Sequence, residues 1–232
     1  MKLLQTTFRT IVLVGVFFLG YLVLPGCVST TQQQFREADT GIEEGEVIAI
    51  LRRKSNTRNE TEESFIECLT EKTSSGQGAI EVMSDREFVD ALFPWFEPRS
   101  APRNVDEMPR YFENENIRET LEQIDARYIV WVNGTTQRTD QSGSVQCAVA
   151  TGGIPACFGF LTWEAGSDYE ATIWDIDRGI TVGRLSAESK GMSFVPAIVV
   201  PIPFVARTQA SACASLAEQL KDFIAGKDPV EE

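Results

Sequence analysis

Histidine is absent from all 232 residues. Its absence removes Ser-His-Asp and Cys-His nucleophilic catalysis, and with them the commonest metal-ligating side chain. Basic residues are scarce too: Lys and Arg number 21 against 34 acids, a formal net charge of −13. A surface of that sign repels phosphate backbones, so nucleic acid is not expected as a partner. The 5 cysteines include no CxxC pair, which argues against a four-thiolate zinc site. A long apolar span is missing near the amino terminus as well. The uncharged run IVLVGVFFLGYLVLP, residues 11–25, has fifteen residues, whereas a spanning helix needs about 20.

The short run nevertheless has the proportions of a secretory signal, with Lys2 and Arg9 before it and no acid among the first ten residues. It ends in LVLPGC at 22–27, where Gly26 precedes Cys27 and Leu24 stands two positions further back. This stretch resembles the lipobox of bacterial lipoproteins. The resemblance implies that the Cys27 thiol receives a diacylglyceryl group, that residues 1–26 are cut away, and that the new amino terminus is acylated. Three acyl chains would hold the chain on a membrane, since two lipid signals already anchor stably. Val28, where enterobacterial lipoproteins retained in the inner membrane carry aspartate, points to the outer membrane, with the chain facing the periplasm. Cleavage would leave 19 basic and 34 acidic side chains, a net charge of −15. Anionic headgroups would repel that chain, so the lipid itself must anchor it.

Cys68, Cys147, Cys157 and Cys213 remain. In an oxidising compartment an even set of cysteines usually pairs, here with three possible connectivities. Cys147 and Cys157 lie ten residues apart across GGIP, a spacing that suits a staple between neighbouring strands. Cys68 and Cys213 would then join an early helix to a late one. Buried free thiols are the alternative.

Along the chain, polar residues 28–44 read as a tether, giving a signal at 1–26, a lipidated tether at 27–44, a domain at 45–228 and a tail at 229–232. EVIAIL at 46–51 predicts a buried strand. TEESFIECLTEKT predicts a helix, AIEVM a second strand, and SDRE the capping box of a second helix. ENIRETLEQIDA adds a third, with Ile117, Leu121 and Ile124 on one face. RYIVWVNG, apolar on both faces, belongs inside a sheet. Two hairpins follow, SVQCAVAT with ACFGFLTW and DYEATIWD with ITVGRLSAES. A closing helix buries Cys213, Leu216, Leu220, Phe223 and Ile224, with Gly226 as its stop. The expected class is α+β: a single mixed sheet with helices packed on it.

This order resembles the domain shared by the TolB amino-terminal region and the curli-secretion lipoproteins. The resemblance rests on VIAIL, SFIECLTEK, TLEQIDARYIVWVNGTT and the hairpin YEATIWDIDRGITVGRLSAES, which has Asp175 and Gly179 at its turn. It spans about 46–225 and implies an envelope protein without a catalytic signature. FPWFEPRSAP and SFVPAIVVPIPFVAR also resemble stretches of uncharacterised bacterial envelope lipoproteins. The curli-secretion family forms channels from long amphipathic strands, but SVQCAVAT and ACFGFLTW are short for strands that need about 9–11 residues of alternation each.

Two aromatic or apolar stretches are candidate contact surfaces. In LFPWFEPRSAP, Trp95 and Phe96 sit on a proline-stiffened loop that could bind a partner at low entropic cost, or could plug the domain's own core. In residues 193–207, three prolines argue against a central strand. Val200 is expected inside, while Ile202 and Phe204 are candidate outward contacts. A nucleophilic Cys147 or Cys157 lacks a histidine to activate it. Asp175 and Asp177 flank a turn and could hold a cation, yet aspartate is common in turns. The expectation is a membrane-anchored, non-enzymatic binding or assembly component of the envelope. It needs no cofactor or metal, partners the membrane through its lipid and an envelope protein besides, and has homo-oligomer formation open to it. The alternatives are an oligomeric secretion or pore component, and an enzyme using carboxylates alone.

Overall fold

Every residue from Val47 to Leu51 is buried, because the strand they form carries helices on both of its faces. Ile48 and Ile50 enter one group of buried side chains, while Val47, Ala49 and Leu51 enter another. This is the period-two alternation of a strand with two apolar surfaces to fill. The computed structural model describes residues 27–53, 60–97, 100–103, 105–149, 153 and 155–227. The expected signal at 1–26, most of the 52–60 loop and the expected tail at 229–232 lie outside them.

Among the described residues there are six strands and five α-helices. In chain order they are β1 Val28–Arg36, β2 Val47–Arg52, α1 Glu63–Thr73, β3 Val82–Met83, α2 Asp85–Ala91, α3 Met108–Phe112, α4 Glu115–Gln123, β4 Ala126–Val149, β5 Pro155–Asp175, β6 Ile180–Pro201 and α5 Thr208–Ile224. The strands form one sheet in the order β1-β6-β5-β4-β2-β3. β2 runs parallel to β3 and β4, with Ile48 beside Val82 and Ile50 beside Val130. The β4–β5 pairing is antiparallel: Ile176, just past the end of β5, donates to the Arg127 carbonyl at the start of β4, while Cys157 bonds to Cys147 at the other end. The sheet is therefore mixed and the fold α+β, as the sequence predicts.

Contacts divide the chain into two compact units. The larger, residues 29–137, 166–190 and 208–232, holds the helices. On one sheet face, α1 and α5 pack Phe65, Leu69, Leu216, Leu220 and Phe223 onto Tyr128, Val130, Ile173 and Val182. On the other, α2, α3 and α4 pack Phe88, Met108, Phe112, Ile117 and Leu121 onto Ile129, Trp131 and Trp174. The capping box read from SDRE is formed: the Ser84 hydroxyl accepts from the Glu87 amide, and the Glu87 carboxylate accepts from the Ser84 amide. The smaller unit contains Cys27 and Val28 with residues 138–165 and 191–207, and it is built of strand.

Three expectations need correction. Residues 28–36 are strand β1 instead of tether; their side chains are mostly exposed, and the backbone ladder to β6 holds them. RYIVWVNG and SVQCAVAT are one strand of 24 residues, and ACFGFLTW and DYEATIWD one of 21. Gly134 makes the first continuity possible: at φ +149, an added Cβ would stand 2.2 Å from the Asp168 carbonyl oxygen, so only glycine lets the two backbones approach there. Pro196 lies inside β6, where the chain turns back on itself from Phe194 to Phe204. The ladder loses the amide that proline lacks, yet the Pro196 carbonyl still accepts from the Ile202 amide.

Candidate functional site

The five cysteines divide by position. Cys68 on α1 bonds to Cys213 on α5, and Cys147 on β4 bonds to Cys157 on β5, the two pairings anticipated above. Cys27 is left free and exposed, one residue before β1.

In the smaller unit, alternation sorts β6 into two rows. Gly191, Ser193 and Ala197 are buried; an added Cβ on Gly191 would meet Ala206 and Val28, and the Ser193 hydroxyl accepts from the Ala206 amide. Met192, Phe194, Pro196, Ile198 and Val200 project from the opposite face. Phe160 of β5 and Phe204 of the returning chain both stack on Phe194, at 6.2 and 4.7 Å between ring centres. This face is therefore apolar across three neighbouring stretches. Phe158, Phe160 and Met192 are exposed on it, as are Ile198 at 81%, Val200 at 63% and Ile202 at 55%.

Val200 is thus not a core residue, contrary to expectation. Ile202 is exposed as anticipated, and Phe204 is half-buried by its ring contact. Trp95 and Phe96 are not a free contact surface. Phe96 is 3% exposed and meets Phe88 edge to face, while Trp95 is half-buried against the same core. Leu92 and Phe88 need a lid once α2 ends at Ala91, and the aromatic loop supplies it. The sequence marks 193–207 as packed on the sheet or offered to a membrane or partner; its prolines hide the strand that sorts 192–200 into a covered and an exposed row.

The larger unit carries three polar features. Glu62 precedes α1 without capping it by a side-chain bond. Its carboxylate accepts instead from the Thr136 amide at 2.7 Å and from the Tyr169 hydroxyl at 2.9 Å. Phe65 stacks on the Tyr169 ring. Burial pushes the Tyr169 hydroxyl up to about 12, and Glu62 adds to the rise against the lowering hydrogen bonds of Thr136 and Gln209. With its donors and acceptors engaged, this group clasps α1 to β4 and β5.

Asp175, fully buried, accepts from Arg127 Nη1 at 2.9 Å and Arg178 Nε at 2.6 Å. Asp177 accepts from Arg127 at 2.5 Å. Burial opposes the Arg127 charge, but Asp175, Tyr128, Asp177 and Glu46 outweigh it and raise its pKa. The two aspartates weighed as cation ligands therefore face guanidinium groups, and the described residues contain no cluster of His, Cys, Asp and Glu fit for a metal. An open groove of ≈ 620 Å³ runs between α1 and α2, lined by Arg52, Glu63, Glu67, Asp85 and Asp90. Arg52 approaches Glu60 at 3.3 Å and both Glu63 and Asp85 at 4.0 Å, so this arginine, one of two lining the groove with Arg86, sits among acids. None of these features assembles a nucleophile with a base.

No protein-family profile matches the chain, and no curated protein matches it. Among solved structures, it is similar to a single-residue variant of the PelC dodecamer from Paraburkholderia phytofirmans, at 13% identity and a TM-score of 0.39, over 86% of this chain and 100% of that one. A second crystal form of the PelC dodecamer from that organism gives 13% identity and a TM-score of 0.37, over 87% of this chain and 100% of that one. No helix among the described residues is long and apolar enough to cross a membrane. At that distance the likeness carries neither a family nor a function to this chain.

Proposed function

We propose that this chain is a lipid-anchored component of a bacterial outer membrane, facing the periplasm, with a non-enzymatic role in binding or assembly. The observation that carries the reading is the partition of its cysteines. Four are paired, which fits an oxidising compartment. The fifth, Cys27, is unpaired and exposed at the position where LVLPGC resembles a lipobox. A lipid on its thiol would meet no steric obstacle from the domain.

The test is Cys27→Ser in cells. The variant should leave the membrane fraction or persist as uncleaved precursor, and the parent protein should carry acyl groups in its intact mass. An unchanged mature mass together with unchanged membrane association would overturn the reading.

An oligomeric secretion component is the second reading, favoured by strand length. β4, β5 and β6 run for 24, 21 and 22 residues, well beyond the roughly 9–11 that a transmembrane strand needs. The mass of the detergent-solubilised protein decides it, because a pore requires a ring of copies and a monomeric mass excludes one.

A further inference from the structure

The smaller unit places Cys27 and its exposed apolar residues on one side of the sheet. Val28 stands beside Gly191, and an added Cβ on Gly191 would touch the Val28 side chain. Those two positions therefore share a face, the one covered by Ala206. Alternation then puts Cys27 on the other face, with Met192, Phe194, Ile198 and Val200. Phe160 and Phe204 join that face through their stacking on Phe194.

We infer that this face lies on the membrane leaflet that holds the Cys27 lipid, so that the chain meets the bilayer with protein as well as with acyl chains. The inference rests on the lipoprotein reading above and extends it. Three observations select a lipid surface as the occupant. The apolar run 11–25 stops two residues before Cys27, the residue that the lipoprotein reading puts at the membrane and that lies on this face. From Met192 to Val200 every side chain on this face is apolar, and three phenylalanine rings stand in a row across it, an apolar area of the kind that interfacial segments bury beneath the headgroups. Ile198, Val200 and Ile202 are exposed in continuity with it, an arrangement that water disfavours. The depth is set by the backbone. An open strand edge has N–H and C=O groups that hydrocarbon cannot satisfy, which places the face at headgroup level and not across the bilayer. The acidity of the chain adds that the headgroups are zwitterionic.

Lipid quenching tests this on the full chain. Ile202→Trp and Ile198→Trp each add a fluorophore at an exposed position on the face, and Ile180→Trp adds one at an exposed position in the larger unit. Each protein is reconstituted into phosphatidylcholine vesicles containing brominated acyl chains. The fluorescence added at 202 and at 198 should be quenched several-fold more than that added at 180. Equal quenching at the three positions overturns the inference. So does weak quenching at 202 and 198 accompanied by a dimeric mass in detergent, which would mean that a second copy covers the face. Weak quenching with residues 1–26 still attached overturns it too, since the 11–25 run would then be the cover. The intact mass of the same preparations reports Cys27 acylation separately. Strong quenching without acyl mass keeps the face and discards the anchor; acyl mass without quenching does the reverse.

Discussion

Tyr169 and Asp175 show how single side chains hold the larger unit. Tyr169 is kept neutral by burial and by Glu62, with its hydroxyl pushed up to about 12. An unfolded tyrosine ionises near pH 10. Because the folded value is the higher, the contribution is complete below about pH 10 and is lost as pH rises through about 12. Melting temperature should therefore fall between about pH 10 and about pH 12 in the parent protein, and Tyr169→Phe should flatten that fall. A parallel decline in both proteins would assign the alkaline loss elsewhere. Asp175 is the buried anion between Arg127 and Arg178. Asp175→Asn leaves both cations without it, and a fully buried pair broken in this way loses about 3–5 kcal/mol. The two arginines retain some solvent contact, so a loss of about 2–3 kcal/mol is expected from urea unfolding.

At the scale of elements, the two disulfides separate by loop length. Cys68–Cys213 closes a sequence separation of 145, and Cys147–Cys157 one of only 10. Chain-entropy reasoning gives the long loop about 4–5 kcal/mol and the short one about 2–3. Replacing Cys68 and Cys213 with serine should lower the urea midpoint more than replacing Cys147 and Cys157; the opposite order would mean that the hairpin end is the weaker point of the fold. The elements legible in the sequence were those with one strong pattern. EVIAIL, the SDRE cap and the Ile117–Leu121 face each combine buried apolar residues with a fixed period. The far halves of β4 and β5 lack that pattern because both of their faces are largely exposed, and the polar GTTQRTDQSG carries no strand signal in its hydropathy. β1 is hidden for a related reason: seven of its nine residues are polar and held by backbone pairing, which leaves no mark on hydropathy. Helix α3, five residues with Pro109 in its first turn, is too short to display a period. The cysteines divided in the same way: the Cys147–Cys157 pair was readable from its spacing and Cys68–Cys213 followed as its complement, whereas the apolar face needed the strand register.

For the molecule as a whole, the smaller unit trades stability for surface. Its apolar side chains on β6 face outward, so charging them should cost the fold little. Val200→Asp is expected to leave the melting temperature nearly unchanged, because the side chain is 63% exposed and no burial of charge results. Ala197→Asp, on the covered face, should unfold the unit by burying an unpaired carboxylate. If the two substitutions destabilised equally, the face would be core.

The replacement of the expected tether by β1 has a consequence for encounter. A flexible leash over 28–44 would let a tethered body range over about 20–25 Å from its lipid. Here the sheet begins one residue after Cys27. A lipid on that residue would allow no such excursion. Copies of the chain would then meet one another by lateral diffusion in a plane, already sharing a common height and a common upright direction. A soluble partner would have to come down to the membrane to find them.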